Sequence, residues 1–75
     1  MAMMRGRVKS KKETYGFING IDGKDYFFYW SHVSELSKKT FKQIEVGDTV
    51  NFEPVIVKDK DGNDREQAKD IKSID

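Results

Sequence analysis

Seven of the nine aromatic residues, Tyr15, Phe17, Tyr26, Phe27, Phe28, Tyr29 and Trp30, lie between positions 15 and 30. A flat ring stacks on another planar π system, and every nucleobase presents such a face. Just before these rings, Arg5, Arg7, Lys9, Lys11 and Lys12 set five cations in eight residues with no acid among them. Clustered positive charge is the electrostatic footprint of a surface that meets a polyanion. Rings beside cations are what an unpaired nucleic-acid strand needs: bases stack, at about 1 to 3 kcal/mol each, while ammonium and guanidinium groups follow the phosphates. Competing structural readings exist for both features. The cations could protect a strand edge from aggregation, and the rings could be buried on both faces or covered by a partner protein.

Other chemistries find little support. The chain has no cysteine, which excludes disulfides, zinc–thiolate sites and thiol catalysis, and its single His32 cannot form a histidine metal site alone. Asp59-Lys60-Asp61-Gly62-Asn63 looks like the start of a calcium loop. Counted from Asp59, however, the sixth position is Asp64 instead of glycine and the twelfth is Asp70 instead of glutamate. This stretch reads as a solvated turn. Ser31 beside His32 lacks a third, orienting group, and adjacent residues rarely hold hydroxyl against imidazole. Ser31 is expected to cap a turn, and His32 to lie near the ring face in contact with a base. The sequence therefore predicts no enzyme, no metal, no cofactor and no small-molecule substrate.

The elements that must position the rings follow from length and alternation. With 75 residues, 36% hydrophobic and 36% charged, and a formal net charge of +1, the chain suits one small globule, a single domain over 1–75, with no room for a deep cleft. Its short amino-terminal apolar run does not make an export signal, so a cytoplasmic protein with no membrane association is expected. Arg5 to Lys11 reads as a first strand. Tyr15 to Asn19 and Asp25 to Trp30, joined through Gly20 and Asp22-Gly23, read as a hairpin, because aromatic residues fit a pleated surface and Asp-Gly suits a tight turn. A short helical turn is expected near Ser31 to Leu36, followed by loop. Thr49 to Glu53 alternates as the start of a fourth strand that runs on to Val57, in which Pro54 must sit at a bulge or an unpaired edge. Glu66 to Ile74 forms the fifth, anchored by Ala68, Ile71 and Ile74.

Five short strands cannot make a useful sandwich, whereas closing them removes the edges and draws a core from few residues. The expected fold is all-β, a five-stranded small barrel of the oligonucleotide/oligosaccharide-binding type. If Ile18, Tyr26 and Phe28 point inward, alternation turns Tyr15, Phe17, Phe27 and Tyr29 outward on one surface. An exposed patch of rings on a small domain marks a contact site.

In order and spacing, Gly6-Arg7-Val8-Lys9, Tyr15-Gly16-Phe17-Ile18, Asp25 to Ser31, Phe41, Val46 to Phe52 and Gln67-Ala68 resemble a bacterial cold-shock domain over nearly the whole chain. Tyr15 to Ile18 is similar to the family's first ribonucleoprotein motif, and Tyr26 to Trp30 to its second. The resemblance implies a five-stranded barrel that binds single-stranded RNA or DNA with little sequence preference and acts as an RNA chaperone. It puts Tyr15, Phe17, Phe27, Tyr29 and Trp30 on the family's stacking positions, and Phe41 is included with them. Lys9, Arg7, Lys11 and Lys12 are the expected phosphate contacts. Where the family has Trp-Phe-Asn, this chain has Ser10-Lys11-Lys12; Glu13-Thr14 replaces the Lys-Gly that opens the first motif, and Tyr29 replaces a histidine. One ring fewer implies affinity lower by about one to two decades. The alternative is a protein-interaction module whose ring face docks a partner or a second copy of the chain.

Overall fold

The computed structural model describes residues 3–74. Period-two burial builds its wall: β1 (Met4–Lys11), β2 (Tyr15–Gly20) and β3 (Asp25–Tyr29) form an antiparallel meander, and β4 (Thr49–Lys58) and β5 (Asp64–Ser73) form a second hairpin. The strands close in the order β1-β2-β3-β5-β4, with β3 and β5 parallel through Phe27 and Gln67. This is the expected all-β barrel. Val8, Ile18, Phe28, Val50, Phe52, Ala68 and Ile71 fill its interior, with Tyr26, Phe41 and Ile44. The inward set deduced from alternation, Ile18, Tyr26 and Phe28, is buried. Among the described residues, no helix is long and apolar enough to cross a membrane.

Two irregularities bend the wall. In β1 the register moves between Val8, opposite Ile18, and Ser10, opposite Phe17, so Lys9 is the extra residue of a bulge. In β5 the register shifts between Asn51 opposite Lys72 and Glu53 opposite Lys69, where Asp70 takes φ 49°. Bulges of this kind increase local twist and help a short sheet close. Pro54 lies opposite Ala68, just beyond Phe52, where pairing with β1 ends. Its missing N–H thus falls at an edge, as its ring requires.

The connection between β3 and β4 differs from expectation. Its helical part is a single 3-10 turn at Trp30–His32, after which Val33 bridges Ile71 of β5. Continuing the helix to Leu36 is prevented because the Ser34 N–H donates to the Ile71 carbonyl at 2.8 Å, fastening the chain to β5. The Ser34 hydroxyl then accepts the Leu36 N–H, and Ser37 Oγ accepts the Ser73 N–H at 2.8 Å. The β4–β5 turn is organised by Asp59, whose carboxylate accepts the N–H groups of Asp61 and Asn63 and pairs with Arg65 at 2.8 Å. These bonds carry β5 back to Asp64, two residues before its expected start.

Candidate nucleic-acid interface

The ring face is made by cross-strand pairing. Antiparallel register sets Tyr15 opposite Tyr29 and Phe17 opposite Phe27, so four outward side chains of β2 and β3 meet. Phe27 is the centre: its centroid is 5.6 Å from Tyr15 at an interplanar angle of 30°, 5.6 Å from Phe17 at 68°, and 4.7 Å from Tyr29 at 89°. Offset and edge-on contacts of this kind match the ring quadrupoles and hold each ring in place. Phe17, Tyr29 and Trp30 are 36%, 46% and 60% exposed, while Tyr15 and Phe27 are half-buried. Trp30 extends the row at the start of the 3-10 turn, anchored by its N–H to the Thr14 carbonyl at 2.9 Å. Gly16 makes room beneath the rings, because a Cβ there would lie 2.6 Å from the Ser10 carbonyl and 2.9 Å from the Phe28 ring.

Grooves flank the row on two sides. One, of about 740 Å³, runs beside Trp30 between Glu13, Val33 and the edge of Phe41. The other, of about 390 Å³, lies between Phe17, Phe27, Glu66 and Gln67. Glu66 and Gln67 were not singled out as site residues from sequence. Only the parallel β3–β5 pairing brings them beside rings some forty positions away, and no local pattern carries that information.

His32 is a tie and not a free surface imidazole. Its Nδ1 accepts the Tyr29 N–H at 3.2 Å, its ring packs edge-on against Tyr29 at 5.6 Å, and it bonds the Ala68 backbone. Burial, and then the charge of Lys69, lower its pKa below the usual 6.5, opposed by the Ala68 bond. The neutral ring thus joins the ring face to β5. Beneath the face, Tyr26 donates its hydroxyl to Asp22 at 2.7 Å, and burial, followed by that hydrogen bond, pushes its pKa up to about 12.

The expected cations are dispersed. Lys9 pairs with Asp25 at 2.8 Å beside the rings, and this bond, followed by one from Asn19, lowers the Asp25 pKa. Lys24 pairs with Glu66 at 3.4 Å on the opposite side. Lys12 is exposed at the Tyr15 end, its N–H bonded to the Tyr15 carbonyl at 2.7 Å. Arg7 is exposed one strand away, between Asn19 of β2 and Thr49 of β4. Two expected residues are not brought to the ring face. The Lys9 bulge puts Lys11 in register with inward-facing Gly16, and its ammonium donates to the carbonyls of Phe41, Lys42 and Ile44 at 2.7, 3.2 and 2.6 Å. Phe41 is 8% exposed, packed on Phe28 in the core with the Lys11 ammonium 5.0 Å from its centroid. The same bulge sets Ser10 opposite Phe17, so the outward position where the resembling family carries a ring holds a hydroxyl.

A closed five-stranded barrel with an outward row of rings defines a class of small binding domain whose contacts lie on the sheet surface. The family described as 'Cold-shock' DNA-binding domain matches residues 4–74, and the chain belongs to that family. It is 35% identical over 74 residues to the cold shock-like protein of Thermotoga maritima, an alignment covering 96% of this chain and all of that one. Its fold is similar to the solved structure of Drosophila Unr CSD456, with a TM-score of 0.72 and 25% identity, covering 99% of this chain and 27% of that one. Membership makes nucleic-acid binding the family-level activity of the barrel.

Proposed function

We propose that the protein binds unpaired RNA or DNA with little sequence preference and acts as a chaperone that keeps strands open. Bases stack across Phe17, Phe27, Tyr29 and Trp30, with Tyr15 at the rim. The observation that carries this reading is the row itself: Phe17 and Tyr29 locked edge to face against Phe27, with both of them and the adjoining Trp30 more than a third exposed. Stacking is tolerant of sequence because all bases have a π face. Lys12 and Lys9 hold the nearest phosphates and Arg7 the next. Lys9 can exchange Asp25 for a phosphate, since an exposed ion pair contributes only about 0 to 1 kcal/mol. His32 keeps Tyr29 in position from behind.

A duplex hides its base faces, so binding the open strand shifts pairing toward single strand by mass action, without a nucleotide cofactor. Titration with oligothymidylate or oligouridylate of about six nucleotides, a length within one barrel's reach, tests the reading by chemical-shift mapping. The largest changes are expected at the rings of Phe17, Phe27, Tyr29 and Trp30. Changes confined to another face, or none at saturating ligand, would overturn it.

A further inference from the structure

We infer that the outer wall of β1, β4 and β5, at Arg5, Arg7 and Lys72, is a second phosphate-binding surface that takes the backbone of the strand as it leaves the rings. The inference rests on the reading of the ring face as a site for unpaired bases. Register sets Arg5 and Lys72 on either side of Asn51, and Arg7 opposite Thr49 on the same wall. All stand on outward positions, since Gly6, Val8 and Val50 between them are buried. Among the described residues, Arg5, Arg7 and Lys72 form no ion pair, in contrast to Lys9 and Lys24 beside the rings. Glu53, the next outward residue of β4, faces Lys69 and bounds the row.

Shape and continuity point to the same ligand. A groove of about 410 Å³ runs between Arg5, Arg7, Asn19 and Thr49, with the exposed Ile21 at its edge. Guanidinium groups lining a groove are the donors that phosphate oxygens take from proteins. The wall is contiguous with the ring face, because Asn19 is the next outward residue after Phe17 on β2 and sits opposite Arg7. With strands about 4.8 Å apart, the path from Phe17 over β1 and β4 to Lys72 covers roughly 15 to 20 Å, enough for several nucleotides. A strand that leaves the rings past Phe17 therefore meets Arg7 and Arg5 on β1 and then Lys72 on β5. Ligand length, and not base identity, is what this wall recognises.

The test compares oligothymidylates of about six and about sixteen nucleotides, spanning the site sizes known for such barrels, on wild type, Arg5→Gln/Lys72→Gln and Phe27→Ala over a range of salt. For the double variant, binding of the short ligand is expected to be unchanged. Its affinity for the long ligand should fall about five- to tenfold, with the log–log salt slope shallower by about 1.4, the value for two lost single-strand phosphate contacts. Circular dichroism checks that both variants keep the fold. An unchanged slope on the long ligand overturns the wall while leaving the ring face standing, and so does an equal loss on both lengths, which would make the cations part of one general field. If wild type binds neither length, or Phe27→Ala binds both as wild type does, the ring-face reading falls and this inference with it.

Discussion

The two flanks of the barrel divide the work that a single-strand binder must do. On the β2–β3 flank the rings are dense, and Lys9 and Lys24 are paired with Asp25 and Glu66. On the β1–β4–β5 wall there are no rings, and Arg5, Arg7 and Lys72 have no acidic partner among the described residues. Apart from Lys12 at the Tyr15 end, stacking energy and charge free of acidic partners are thus offset by about one strand width, roughly 5 Å. A net charge of +1 conceals this, because the acids are spent locally beside the rings. Short ligands should therefore bind by stacking with a shallow salt dependence, and longer ones should add an ionic component.

The comparison can be broken most forcefully at its centre. Phe27→Ala removes the ring that touches Tyr15, Phe17 and Tyr29, and should weaken binding of any unpaired oligomer by about one to two decades without altering the salt slope. Isothermal titration at two salt concentrations checks both halves of that statement. The converse change is Ser10→Trp, which puts a ring opposite Phe17 on the depleted side of the row. It should tighten short oligomers by about one decade, as one further stacked base would; unchanged affinity would mean that the row is already saturated.

Lys11 separates the flanks in a different way, because it is a cation that serves the fold. Lys11→Met leaves three carbonyls without their charged donor and should destabilise the barrel by about 1 to 3 kcal/mol, read from urea midpoints. Its salt slope for binding should match wild type; a shallower slope would return Lys11 to the phosphate contacts. The smallest effect is expected from pH. The folded-state pKa of His32 lies below the unfolded 6.5, so between those values only the unfolded chain takes up the proton. Its stabilising share is full above 6.5 and is lost as pH falls through the lowered folded value. Relative to His32→Gln, wild type should lose urea resistance on acidification from about pH 7 to about pH 5, the range in which histidine titrates.

The strands and the ring row were legible because both are local. Alternation in Tyr15 to Asn19 and Asp25 to Tyr29 assigns faces without knowledge of neighbours, and the burial of Ile18, Tyr26 and Phe28 follows that assignment. What escaped was set by register. One extra residue at Lys9 sends Lys11 inward and Ser10 outward, and nothing in the run of basic residues marks where a bulge falls. Phe41 reads as one more ring until the Lys11 contact and Phe28 claim it for the core. Arg5 and Lys72 are far apart in sequence, and only the β1–β4–β5 pairing brings them to either side of Asn51. The turn after Trp30 is shorter than the expected Ser31 to Leu36 because Ser34 and Ser37 bond β5.

Trp30, the only tryptophan and 60% exposed at the end of the row, provides the most direct test. Its fluorescence should be followed while the protein is titrated with an unpaired oligopyrimidine, and separately with the matching duplex, across a range of salt. Saturable quenching by the single strand alone, with a salt slope that steepens as the oligomer lengthens from about six to about sixteen nucleotides, is the predicted result. Equal response to the duplex would contradict the stacking account; no quenching together with no binding by a label-free method would also contradict it and assign the ring face to a protein partner.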